Sequence, residues 1–137
     1  MFVFISHSGT DTWIAQRIAD RCESAGAETF LDDAEIAIGA VFETDILAAL
    51  KKSDELIVLF TPWALERPYV WLEIGAAWYK GIPIIAILLG VTPNQIQKHP
   101  RAPIAMKERN IIQLNDIDRY FSQLRTRVAT APAVTAL

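Results

Sequence analysis

Among the acidic side chains of this 137-residue sequence, one carboxylate keeps unusual company. Glu73 lies in Tyr69-Val70-Trp71-Leu72-Glu73-Ile74-Gly75-Ala76-Ala77-Trp78-Tyr79, where every neighbour is apolar, aromatic or small. Taking a carboxylate out of water costs free energy unless a partner compensates, so an acid held there is a candidate for chemistry. Tyr69 precedes it by one helical turn, and the ring and the carboxylate can therefore wall one pocket. The plain alternative is a glutamate on the one solvent-facing line of a largely buried helix, which needs no function.

Two loops add polar groups. Ser6-His7-Ser8-Gly9-Thr10-Asp11 sets hydroxyls and an imidazole just ahead of a helix, where backbone N–H groups and the positive helix end suit an anion. Ser8, Thr10 or Asp11 could equally be simple N-caps. Asp32-Asp33-Ala34-Glu35 repels phosphate but can accept hydrogen bonds from sugar hydroxyls; solvated loop charge is the alternative.

The elements that must position these groups alternate along the chain. Short apolar runs fall at Phe2–Ser6, Glu28–Leu31, Glu55–Phe60, Pro83–Leu89 and Asn110–Leu114. Helical patterns separate them, which predicts a parallel sheet covered on both faces. The third and fourth runs are apolar without alternation, as central strands should be, and the more polar fifth is expected at an edge. Helices are predicted over Asp11–Ala25 with a stripe of Trp13, Ile14, Ile18, Ala19 and Cys22, and over Phe42–Lys52 with Ile46, Leu47 and Leu50. A third runs from Pro68 to Lys80, with proline in its first turn and Gly81 beyond its last residue, and a fourth from Asp116 to Ala129. Thr92–Glu108 is expected to be a loop, and residues 131–137 a flexible tail or a cut linker after a single domain over 1–130.

Composition narrows the partners. A net charge of −3 and a pI near 5.3 disfavour direct contact with nucleic acid or an anionic membrane. Cys22 is the only cysteine, so no internal disulfide or zinc cluster can form; core filler is its expected role. The longest apolar run, Ile82–Val91, is too short to cross a membrane, and the amino terminus does not read as a signal peptide, so a cytoplasmic location is expected.

Taken in order, several of these stretches resemble the TIR (Toll/interleukin-1 receptor) domain family, its bacterial members in particular. They are Val3-Phe4-Ile5-Ser6-His7-Ser8 with Asp11, Phe30-Leu31-Asp32, Gly39-Ala40-Val41-Phe42 followed by Ile46, Ala49 and Leu50, Ser53-Asp54, and Pro68 to Ala77. The resemblance implies an α/β, flavodoxin-like three-layer fold with a five-stranded parallel sheet in the order 2-1-3-4-5. It also implies hydrolysis or cyclisation of NAD by a glutamate at position 73, with NAD as substrate and no metal or resident cofactor. Tyr69 and Phe42 would be pocket walls, and Ser6, His7, Ser8 and Asp32 polar contacts to ribose and phosphate. Tyr69 stands where the family commonly has tryptophan, His7 where tyrosine is frequent, and Phe42 where tryptophan is frequent. Partners implied are other TIR domains, in a homo-oligomer or filament on activation, and a separate or fused sensor protein. The biological setting would be bacterial antiphage defence.

A non-catalytic scaffold acting through TIR–TIR contacts is the competing expectation. Flavin binding is disfavoured because Asp11 would set negative charge beside the phosphate. A phosphorelay receiver is excluded because Phe60-Thr61-Pro62 stands where its aspartate is needed.

Overall fold

The computed structural model describes residues 1–31, 42–102 and 110–130, with 42–45 described as backbone only. Five strands form one parallel sheet: β1 (Phe2–Ser6), β2 (Glu28–Leu31), β3 (Glu55–Phe60), β4 (Ile84–Leu88) and β5 (Ile111–Gln113). Their order is β2-β1-β3-β4-β5. β1 is the pivot, with Val3 opposite both Thr29 of β2 and Glu55 of β3, and Ser6 opposite Val58. All of β3 is buried, as its unbroken apolar run requires, whereas β5 has one neighbour and carries an exposed Gln113.

The helices are α1 (Thr12–Ser24), α2 (Phe42–Lys52), α3 (Pro68–Lys80), α4 (Pro93–Gln97) and α5 (Ile117–Thr130). Alternation along the strands gives each sheet face its own core. Phe4, Leu56, Val58, Phe60, Ala86 and Leu88 meet Ile46 and Leu50 of α2 and Val70, Trp71, Ile74 and Ala77 of α3. On the other face, Val3, Ile5, Ile57, Leu59 and Ile87 meet Ala15, Ile18 and Cys22 of α1 and Phe121 and Leu124 of α5. This is the flavodoxin-like three-layer architecture expected from the resemblance.

Three local readings need correction. Trp13, expected in the buried stripe of α1, is 70% exposed, with the Arg17 guanidinium over its ring. Apolar residues at Ala15, Ile18, Ala19 and Cys22 already fill the docked face, so the indole sits one step outside it. The segment expected to be a loop contains α4, whose start is a capping box: Gln95 N donates to Thr92 Oγ1 and the Gln95 side chain accepts from Thr92 N. Thr92-Pro93-Asn94-Gln95 carries that signal in plain view. Finally, α3 is not buried on most sides, since Leu72, Trp78 and Tyr79 are exposed. The loop 32–41, residues 103–109 and the tail 131–137 lie outside the described residues.

Gly26 ends α1 at φ +98°, and a Cβ built there would stand 2.9 Å from Val128 Cγ1 of α5. Gly26→Ala therefore combines a left-handed backbone with a clash against the neighbouring helix. We expect a loss of about 2 kcal/mol, read from urea denaturation.

Burial, with the charges of Glu55 and Glu23 behind it, pushes the Cys22 thiol up to about 12. The neutral thiol should resist alkylation in the folded protein at pH 8 and react once the chain is unfolded. The sign of the linkage follows. The unfolded thiol ionises near its ordinary value while the folded one keeps its proton, so this contribution to stability is full below about pH 9 and declines as pH rises towards 12. Thermal melts at pH 8 and pH 10.5 check the direction.

Candidate functional site

Ser6 is the last residue of β1, at the point where the sheet runs to β2 on one side and β3 on the other. In open parallel sheets this reversal of direction leaves a crevice beyond the carboxyl ends of the strands. Glu73 reaches it from α3. Ser6 Oγ donates to Glu73 Oε1 at 2.7 Å, joining residues 67 apart in sequence. Both are buried, Glu73 being only 3% exposed, which removes the alternative of a solvent-facing glutamate. A hydroxyl bonded to a carboxylate at this length fixes the orientation of the acid.

The neighbours of Glu73 on α3 explain how the helix carries it inward. Val70, Trp71, Ile74 and Ala77 form the docked face, and Trp71 is held from several sides. Its indole N–H donates to Leu65 O, and its ring stacks on His99 at 4.8 Å between centroids and tilts 45° to Phe60. With Trp71 and Ile74 anchored, Glu73 between them points to the seam between α3 and α2. Lys80 closes the far end of that seam, its ammonium donating to the carbonyls of Leu50, Lys51 and Ser53 at the end of α2. A cation at a helix carboxyl terminus meets both the dipole and the orphan carbonyls.

A recess of about 40 Å³ opens in the seam, lined by Ile46, Leu47 and Leu50 of α2 and by Tyr69, Leu72, Glu73 and Ala76 of α3. That is room for a water or two, far below the roughly 300–1,000 Å³ of a site enclosing a small ligand. Tyr69 is 38% exposed and stands at its edge, so Tyr69 and Glu73 do share one wall. The lining from α2 is apolar and could not be distinguished in the sequence from ordinary core.

The loop after β1 is held by its own network. Ser8 Oγ accepts from Thr10 N at 3.3 Å, capping a 3-10 turn over Gly9–Asp11. Asp11 makes no side-chain cap; its Oδ2 accepts from Thr61 Oγ1 at 2.6 Å, and Thr61 Oγ1 accepts from Ala64 N. The loops after β1 and β3 are thereby clamped across the crevice, a link the sequence did not reveal because its partners lie 50 residues apart. His7 is buried, with Nδ1 2.8 Å from Ser8 O. That bond makes Nδ1 the donor, and Nε2 is left buried without a partner among the described residues. Of the expected contacts, Ser6 and Tyr69 meet Glu73 or its recess, while His7 and Ser8 bond within their own loop. Asp32 lies outside the described residues, as does the side chain of Phe42.

A doubly wound parallel sheet with a buried, oriented carboxylate at its switch point defines a flavodoxin-like domain with a ligand crevice. A family model described as TIR domain matches residues 3–127, and the chain belongs to that family. It is 26% identical over 125 residues to a probable 2′ cyclic ADP-D-ribose synthase, BdTIR, of Brachypodium distachyon. The match covers 90% of this chain and 54% of the relative, so the chain spans about half the length of that protein. Among solved structures it resembles the TIR domain of the Toll-related receptor TRR-2 from Hydra magnipapillata. The TM-score is 0.63 at 19% identity, with 91% of this chain and 94% of that one covered. The TIR domains of the activated Roq1 resistosome recognizing the effector XopQ superpose with a TM-score of 0.59 at 20% identity, covering 96% and 84%. At those identities the structural likeness speaks for the fold alone. Among the described residues, no helix is long and apolar enough to cross a membrane.

Proposed function

We propose that this TIR domain cleaves the nicotinamide–ribose bond of NAD, with Glu73 as the catalytic residue. The observation that carries the proposal is the Glu73 carboxylate, buried at the switch point and oriented by the Ser6 hydroxyl. The name of the plant relative, a probable cyclic ADP-ribose synthase, supports the same substrate.

One carboxylate suffices for this chemistry. The nicotinamide of NAD is a cationic leaving group that becomes neutral as it departs, so no general acid is needed, in contrast to the paired carboxylates of most glycosidases. What the site must stabilise is positive charge developing on the ribose ring, and a fixed anion buried in the seam does so at little reorganisation cost. The recess is too small for a nucleotide, so the substrate lies across its mouth, against Tyr69, with the reacting ribose edge nearest Glu73. The Nε2 lone pair of His7 is suited to accept from a ribose hydroxyl. Asp32 and Phe42 are proposed further contacts to the same substrate. Water as acceptor gives ADP-ribose, and an internal acceptor on the same molecule gives a cyclic product.

Leu72 and Tyr79, two turns apart on one face of α3, leave exposed apolar surface beside the recess, which favours activity that depends on assembly with other TIR domains. The accompanying biological setting is a cytoplasmic effector of bacterial antiphage defence. Incubation with NAD at high protein concentration, followed by chromatography of the products, tests the activity. Nicotinamide release by wild type and none by Glu73→Gln is expected; equal release by both would remove Glu73 from the mechanism.

A further inference from the structure

A second cavity lies at the opposite, amino ends of the strands. Glu55 opens β3, Pro83 precedes β4 and Asn110 precedes β5, so these residues mark the amino ends of the strands, whereas Ser6 marks a carboxyl end. Six residues of β3 separate the two edges by roughly 15–20 Å. The cavity holds about 470 Å³, within the range of small-molecule sites.

Its floor is apolar, formed by Pro83 just before β4, Ile85 of β4 and Ile112 of the neighbouring β5. Its wall is the Tyr120 ring with Glu55 and Arg127, and these charges neutralise one another. Arg127 Nε and Nη2 face the two Glu55 oxygens, with Nη2 3.1 Å from Oε2, and Tyr120 Oη donates to Oε2 at 2.7 Å. Burial and the Glu55 charge push the Tyr120 phenol well above its ordinary range, so it remains a donor. Arg119 is the remaining charge on the lining, and it has no ion pair among the described residues. Gln123 follows it by one turn of α5, and Asn110 adds a second amide.

We propose that this cavity is a second ligand site, which takes a small aromatic carboxylate: Arg119 holds the anionic group, the apolar strand floor holds the ring, and Asn110 and Gln123 hold its polar edge. The lining carries one uncompensated positive charge, which one carboxylate neutralises, and a guanidinium fork matches a carboxylate in its plane. Glu55 does not repel the ligand because both its oxygens are already engaged.

Benzoate is the probe, with benzamide as its uncharged counterpart and inorganic phosphate as a control for bare anion binding. Methyl and amide NMR spectra of the full chain should show saturable shifts at Ile85, Ile112 and Tyr120 with benzoate. Benzamide and phosphate should bind at least tenfold more weakly. Arg119→Gln should weaken benzoate at least tenfold, and Glu73→Gln should leave it unchanged, which separates this site from the candidate active site. Equal binding of benzamide, full retention by Arg119→Gln, or no shift at these residues overturns the proposal. So does sedimentation in which Arg119→Gln alters self-association while no benzoate binds, because the cavity would then be a contact between copies.

Discussion

Glu73→Gln should release nicotinamide from NAD at no more than about a thousandth of the wild-type rate, a barrier increase of roughly 4 kcal/mol. The substitution removes one charge and almost no volume. Ser6 Oγ can still donate to the amide oxygen, so the folded state keeps the hydrogen bond that spans β1 and α3. The thermal midpoint should therefore stay within a few degrees of wild type, and loss of activity with retained folding assigns the effect to the charge. Ser6→Ala tests orientation separately. It leaves the carboxylate in place but removes the Ser6 bond that helps orient it, and a tenfold to hundredfold drop in kcat with a smaller change in KM is expected. Equal activity of Ser6→Ala and wild type would show that the 2.7 Å bond serves the fold alone.

The largest effect on stability should come from Arg127→Met. Glu55 is buried, and Arg127 covers both its oxygens while remaining about one-third exposed itself. Removing the guanidinium leaves a buried carboxylate with the Tyr120 hydroxyl as its main support. Breaking a buried pair from one side costs about 3–5 kcal/mol, and water reaching the Arg127 side sets the expectation near the lower figure. For a chain of this size that is a fall in Tm of roughly 10 °C. The double variant Glu55→Gln, Arg127→Met should regain most of the loss, because no buried charge then lacks a partner. Scanning calorimetry of wild type, the single variant and the double variant decides it. A single variant within 0.5 kcal/mol of wild type would mean that water already satisfies Glu55.

Elements with strong local signals are legible in the sequence. The unbroken apolar run of β3 required a strand covered on both faces, and Pro68 with Gly81 bounded α3 because each residue is suited to one helix end only. Trp13 was misplaced because periodicity says which residues share a stripe, not how wide the docked face is. The capping box at Thr92 is local, written in the adjacent residues Thr92-Pro93-Asn94-Gln95. The neighbourhood of Glu73 marked it as a candidate, but the sequence left two environments open.

The sequence by itself determined the alternation of strands and helices, the central position of β3 and the family membership, since these rest on local pattern and on ordered motifs. It took the folded molecule to show that Glu73 is buried in the seam between α2 and α3 and meets Ser6, that Asp11 clamps Thr61, and that Glu55 pairs with Arg127. Each of these contacts joins side chains 50 or more residues apart. Local propensity has no record of such pairings, which arise when strands take their places in the sheet and helices dock on its two faces.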